Sequence, residues 1–513
     1  MQPEPRECGV LLHPTSLPAP YGIGDLGPDA FRFVDALAAM GQRVWQMLPL
    51  GPTGYGDSPY QTLSTFAGNP LLISPDQLVD DGLLDARRLK TLPAGDDPAA
   101  VDYGAVIDSR RTLLSSVCRT FARRASPVLK KSFERFCRQE SDWLDDFALF
   151  RALKHAYDEQ PWTTWPPELA LRDPAALAVA RKQHRTGLRH EKIVQFLFAQ
   201  QWQALRRYAG SRGVELMGDL PIFVAHDSAD VWAHPRLFDL NPDGSPRVIA
   251  GVPPDYFSAT GQRWGNPLYR WEEHQADGYA WWVRRMAKAF ALLDRVRIDH
   301  FRGFEAYWEI PAAEPTAIHG RWVPGPGAAL FDRLHEALGP LPVVAEDLGV
   351  ITPPVLALRD RYGFPGMRIL QFSFGPDAQS ADDRPDRFPV RCVVYTGTHD
   401  NDTTVGWFHG DPGGDHTRAP DQVAQERRAV LDYVGTDGRE IHWDLIGVAC
   451  RTPAHIALFP LQDVLGLGSE ARMNVPGRPD GNWRWRFQWD KLTDATMARL
   501  RTLAQETGRL NGN

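Results

Sequence analysis

Eight short apolar runs, rich in β-branched residues, recur along this chain at positions 10–12, 43–48, 214–217, 295–298, 342–345, 367–372, 392–395 and 456–459. Most are followed by a stretch with helical spacing, for example 191–209 and 278–293. After the first run, Pro28 opens a helix over 29–40 and Gly41 closes it, as a first-turn proline and a terminal glycine should. Alternating strand and helix implies a parallel sheet, and eight such units predict an α/β fold closed into a (β/α)8 TIM barrel. The second and third runs are separated by residues 51–213, far too long for a strand-to-helix connection. That segment has its own Pro/Gly breaks and helical pieces such as 141–158. It is therefore expected to be a mostly helical subdomain, inserted after the second strand at the barrel mouth of a single catalytic unit spanning 1–513.

Composition narrows the partners. With 57 basic and 64 acidic residues, for a net charge of −7, there is no electrostatic footprint for gripping nucleic acid. The 44 glycines and 43 prolines stay well below the roughly 25–30% that marks a disordered chain. Cys8, Cys118, Cys137, Cys392 and Cys450 form no C-x-x-C pair, which suits reduced thiols in a cytosolic enzyme. The first residues lack a secretory pattern, and no run approaches the 18 or so apolar residues of a membrane span.

In a barrel of this kind the reacting groups stand at the carboxyl ends of strands. Three ends carry acids: Arg297-Ile298-Asp299-His300 at the fourth, Ala345-Glu346-Asp347 at the fifth, and Thr398-His399-Asp400 at the seventh. Residues two apart on a strand share a face, so Arg297 and Asp299 are expected to point together into the barrel, with Ile298 packed outward. The guanidinium is expected to lower the pKa of Asp299 and keep it ionised, fit to act as a nucleophile. A carboxyl sharing the site with that charge is pushed up, which suits Glu346 to protonating a leaving group. Once Asp299 is esterified its charge is gone and Glu346 can turn from acid to base. Retaining glycoside chemistry needs such a pair of carboxyls, about 5–5.5 Å apart. It requires no cofactor and no metal. Taken singly, each strand-end acid reads equally as a helix cap or a salt bridge. Like charges crowded at one mouth are costly unless used, and the joint placement carries the argument.

These residues lie within ordered motifs that span nearly the whole chain: HPTSLPAPYGIGDLG at 13–27, GDSPYQ at 56–61, GDLPIFVA at 218–225, GVPPDYFSATGQRWGNPLY at 251–269, RIDHFRG at 297–303, AEDLG at 345–349, GTHDND at 397–402 and RMNVPG at 472–477. In this the chain resembles the amylomaltases, glycoside hydrolase family 77 of the α-amylase clan. The resemblance implies a 4-α-glucanotransferase moving α-1,4-glucan segments between maltooligosaccharides, with amylose or glucose also serving as donor or acceptor. It implies Asp299 as nucleophile, Glu346 as acid/base and Asp400 as stabiliser of the distorted transition state. It places Arg297, His300 and His399 at the donor subsite with Asp219 in support, and Ser58, Tyr60 and Asn474 in contact with sugar.

Transfer also requires that a sugar hydroxyl outcompete water, hence an acceptor site that binds glucose rings and sheds solvent. Aromatic faces suit both tasks. The segment 252–269 offers Tyr256, Phe257 and Trp264 among Gly and Pro, read here as an exposed loop; by resemblance it floors the acceptor side. Trp281 and Trp282, on a helical run, read as core. The alternative reading is an α-1,4-glucan hydrolase using the same acids, and a non-catalytic glycan-binding scaffold would need no acid at both 299 and 346. The triplet Gly22-x-Gly24-x-x-Gly27 superficially suggests nicotinamide binding, but nine residues with three prolines separate it from its strand, and the next strand lacks a ribose-binding acid. A metal hydrolase would want H-x-H or H-E-x-x-H spacing, which is absent.

Overall fold

The computed structural model describes residues 6–254, 260–375, 384–410, 420–478 and 480–510. Twelve strands run in chain order: β1 (Glu7–Leu11), β2 (Val44–Gln46), β3 (Glu215–Pro221), β4 (Val248–Val252), β5 (Gln262–Pro267), β6 (Arg295–Asp299), β7 (Ala306–Pro311), β8 (Arg321–Pro324), β9 (Val343–Ala345), β10 (Gly366–Ile369), β11 (Cys392–Tyr395) and β12 (Ile456–Pro460). Eight form one parallel sheet in the order β10-β11-β12-β1-β2-β3-β6-β9, so every barrel strand lies beside its chain neighbour. The ring closes between the two ends of that order, where Ala345 N–H donates to Pro365 O at 2.8 Å. This is a (β/α)8 barrel.

All eight expected runs are strands. Two fall short of their apolar runs by two or more residues. The run at 43–48 pairs only over Val44–Gln46, and 367–372 turns after Ile369 into a 3-10 helix, Leu370–Phe374. Hydrophobicity continues past the last ladder bond because the chain stays buried as it leaves the sheet. Side chains alternate across the strands: Met217, Val344, Met367, Ile369, Val393, Tyr395, Ile456 and Leu458 fill the barrel interior, while Val10, Leu216, Val296, Ile298, Val394 and Phe459 pack beneath the helices. β1 and β2 approach so closely that a Cβ at Gly9 would stand 2.2 Å from Val44 O. The first outer helix, Pro28–Ala39, ends with Gly41 at φ 72° and with Gln42 N–H bonded to Leu37 O at 2.8 Å, a left-handed glycine stop.

Within residues 51–213 lie helices including Tyr103–Arg124, Pro127–Gln139 and Ser141–Ala156. The last, Arg185–Ser211, sits in the barrel's outer ring. Tyr208 packs on Phe31 and bonds Asp35 of the Pro28–Ala39 helix, and Trp202 Nε1 donates to Leu292 O, at the end of the helix Ala280–Leu292. Trp281 and Trp282 are fully buried.

The sequence did not foretell a second sheet. β4, β5, β7 and β8 form a four-stranded antiparallel layer in the order β5-β4-β7-β8, between barrel strands β3 and β9 in the chain. Part of the expected loop over 252–269 is thus strand β5, which carries Trp264. Its sequence, Gln-Arg-Trp-Gly-Asn-Pro, has no apolar alternation, so only pairing across to β4 reveals it. The glycine triplet packs rather than binds. A Cβ on Gly24 would lie 2.0 Å from Pro14 O, and the N–H of Gly27 is taken by Asp25 Oδ1.

Candidate active site

The β3–β6 register sets Asp219 beside Arg297 and Pro221 beside Asp299. With Ile298 turned outward and buried, Arg297 reaches into the barrel and its guanidinium spans two carboxylates. Nη1 lies 2.6 Å from Asp219 Oδ2 and Nη2 lies 2.9 Å from Asp299 Oδ1. Below it, Nε meets Met367 Sδ at 3.3 Å, so the charged group rests on the apolar barrel plug. Burial opposes the charge on Arg297, but Asp219 and Asp299 more than compensate and raise its pKa well above the ordinary value.

The expectation that Arg297 depresses Asp299 fails on balance. Burial raises the carboxyl to about 6; Arg297 pulls down, while Asp219 and Asp400 push up. The side chain keeps 30% of its exposure through the mouth, so entering water tempers the rise. Glu346 is pushed higher, to about 7, chiefly by burial and then by Asp299, against the pull of Arg297. Glu346 stays above Asp299, as expected of an acid and a nucleophile, with burial lifting both carboxyls.

Glu346 follows β9 and is held by backbone amides on both oxygens. His300 N–H donates to Oε2 and Leu348 N–H to Oε1, each at 2.8 Å. His300 can aim its N–H this way because it adopts the left-handed conformation, φ 54°. Burial lowers its imidazole pKa to about 3, and its Nε2 is buried with no partner among the described residues. Trp264 stands edge-on to this ring, centroids 4.8 Å apart.

Opposite, Tyr60 stacks on His399 at 5.3 Å and donates its hydroxyl proton to Asp219 Oδ2 at 2.6 Å. His399 Nε2 lies 2.8 Å from the Tyr60 hydroxyl oxygen, whose proton is committed to Asp219, so the imidazole supplies the N–H. Burial and then Asp219 raise the Tyr60 pKa well above its ordinary value, and the phenol stays protonated. Asp400 is 3.4 Å from His399 Nε2, and its Oδ1 accepts from Asn474 Nδ2 at 2.6 Å. Ser58 Oγ accepts Tyr60 N–H at 3.2 Å, shaping the turn that presents the ring. The structure thus gathers Asp299, Glu346, Asp400, Asp219, Arg297, His300, His399, Tyr60, Trp264 and Asn474 at one mouth, with Ser58 behind Tyr60. Tyr256 and Phe257 lie outside the described residues.

Sequence reasoning missed Arg472, whose Nη2 donates to Asp400 O at 2.6 Å, although its RMNVPG motif was in view. Among the described residues no group of three or more His, Cys, Asp or Glu could hold a metal ion, and no helix is long and apolar enough to cross a membrane.

Comparison with known proteins identifies the family. The family model for glycoside hydrolase family 77, 4-α-glucanotransferase, matches residues 12–493. A 4-α-glucanotransferase of Thermus thermophilus is 50% identical over 510 residues, covering 99% of each chain, and one of Synechocystis is 48% identical, covering 98% of each. The amylomaltase of Streptococcus agalactiae, solved in complex with acarbose, superposes with a TM-score of 0.93 at 36% identity, covering 99% of this chain and 100% of that one. The chain belongs to glycoside hydrolase family 77, the 4-α-glucanotransferases, and is an enzyme that transfers glucan segments.

Proposed function

We propose that the enzyme exchanges α-1,4-glucan segments between maltooligosaccharides by double displacement with retention. Amylose also serves as donor and glucose as acceptor. The observation that carries this reading is the pairing of Asp299 with Arg297 at the same mouth where two amides hold Glu346. An Asp299 oxygen attacks the anomeric carbon as Glu346 gives its proton to the departing glycosidic oxygen. The product is a glycosyl ester. Asp299 has then lost its charge, which eases ionisation of Glu346; this carboxylate removes the proton from the acceptor hydroxyl as that oxygen attacks the anomeric carbon and the ester breaks.

Asp400, fixed by Asn474, and His399, fixed by Tyr60, face the donor sugar, where their hydrogen bonds strengthen as the ring flattens. His300, whose backbone N–H holds Glu346, stands beside the donor sugar. Trp264, with Tyr256 and Phe257, supplies the aromatic surface on which an acceptor displaces water. On the same reading, the part of residues 51–213 that precedes the outer-ring helix Arg185–Ser211 acts as a mostly helical subdomain at the mouth within one catalytic unit, a role supported by Tyr60 reaching Asp219 from that segment. The five free thiols suit a cytoplasmic setting.

Product analysis on maltotriose tests the reading. A ladder of longer and shorter oligomers with glucose, all α-linked, is expected. Glucose and maltose accumulating without longer chains would overturn it.

A further inference from the structure

Closure of the barrel takes place next to Glu346. β9 and β10 stand at opposite ends of the ladder order, and the bond from Ala345 N–H to Pro365 O leads into a place where the next rung is made by a side chain. Asp347 Oδ1 accepts the N–H of Met367, on β10, at 2.7 Å. Its Oδ2 accepts from Arg359 Nη1, with Arg368 Nη1 3.8 Å away. The residue is only 5% exposed. Gly366 makes room for it, since a Cβ there would stand 2.4 Å from Asp347 Oδ2. The seam is therefore shaped around a carboxylate.

We propose that Asp347 is a positioning residue for Glu346, acting through the peptide unit it shares with Leu348. This role rests on the assignment of Glu346 as acid/base and works through geometry. Leu348 N–H is one of the two donors that orient the Glu346 carboxyl, the other being His300 N–H from the exit of β6. Clamping the Asp347 side chain to β10 fixes the chain on which that Leu348 donor sits. Released, the turn from 346 to 348 is free to rotate, and the carboxyl loses its aim at the glycosidic oxygen. A displacement on the order of 1 Å at a reacting group costs about a hundredfold in rate. The loss falls on steps in which Glu346 moves a proton, and leaves sugar binding alone.

The test compares two donors in Asp347→Asn. Maltotetraose needs a proton on its departing oxygen, whereas the fluoride of α-maltosyl fluoride leaves without one. First-turnover cleavage of maltotetraose should fall by about 10–100-fold with KM within about twofold, while first-turnover fluoride release changes less than about threefold. Arg359→Met, which leaves the bond to Met367 in place, should show the same selective loss at about threefold to tenfold, and it serves where Asp347→Asn does not fold. Equal loss on both donors, or no loss on either, overturns the proposal. Glu346→Gln is the control. If it too lost both activities equally, the acid/base assignment would fail rather than the clamp.

Discussion

The barrel buries an arginine at each end, and the two are treated in opposite ways. At the floor Arg509 is fully buried and meets backbone carbonyls: Nε donates to Cys450 O, Nη1 to Glu7 O and His455 O, and Nη2 to Ala449 O, Thr452 O and Ala454 O, at 2.8–3.4 Å. Those dipoles cannot titrate, and each was committed when the strands and the 441–451 helix formed. At the mouth Arg297 meets the carboxylates of Asp219 and Asp299, beside a carboxylate oxygen, Asp219 Oδ1, left without a partner among the described residues. The floor is closed; the mouth is charged, titratable and unfinished. A guanidinium satisfied by carbonyls ties down chain ends, whereas one shared between acids sets their charge for chemistry.

The contrast is broken most severely at the mouth. Asp299→Ala should lower turnover on maltotriose by at least about a thousandfold, read by product release, without lowering the unfolding midpoint, because removing one of several crowded acids relieves repulsion. The floor should answer in the other currency. Arg509→Met removes six charge-assisted hydrogen bonds, although Cys450 O and Thr452 O keep Arg6, His455 O keeps Glu7 N–H and Ala449 O keeps Thr452 Oγ1. It should lower unfolding free energy by about 3 kcal/mol in denaturant titration, with turnover of the folded enzyme within about twofold. If Arg509→Met cut turnover without cutting stability, the division between the two ends would be false.

Tyr60→Phe removes the proton donated to Asp219 and the oxygen facing His399. About a tenfold fall in kcat with little change in stability is expected from steady-state kinetics. Trp264→Ala should act more gently, moving the ratio of transfer to hydrolysis towards hydrolysis by a few-fold, measured as free glucose against longer chains.

Acidity sharpens the comparison further. On the proposed mechanism activity needs Asp299 ionised and Glu346 protonated, so kcat/KM should peak between pH about 6 and about 7 and fall on both sides. Stability has the opposite arithmetic to a salt-bridged acid. A carboxyl whose folded pKa is raised holds its proton more tightly folded than unfolded, so its contribution weakens as pH rises from the ordinary carboxyl range to about 7. Glu346→Gln should accordingly gain stability relative to the parent over that interval and stay ahead above it. A gap that closed with rising pH would reverse the sign assigned to burial.

Much of this was legible in the sequence. The eight strands were visible because each is a compact apolar run, and Arg297 with Asp299 because a two-residue spacing on a strand fixes a shared face. The antiparallel layer was not, since β5 alternates nothing apolar and exists only through β4. Charge alone predicted a depressed Asp299; burial, which no spacing reveals, reversed it. The role of Asp347 was hidden for a topological reason. It stands beside Glu346 in the AEDLG motif, but the β10 amide it holds is twenty residues on and becomes its neighbour only when the ring closes.

The proposed double displacement requires a covalent bond between the sugar and Asp299. Incubation with 5-fluoro-α-glucosyl fluoride, which slows the second displacement, followed by peptic digestion and mass spectrometry, tests it directly. A single fluoroglucosyl adduct should appear on the peptide containing Asp299 and be absent from Asp299→Ala. An adduct on any other residue, or equal labelling of the Asp299→Ala protein, would contradict it.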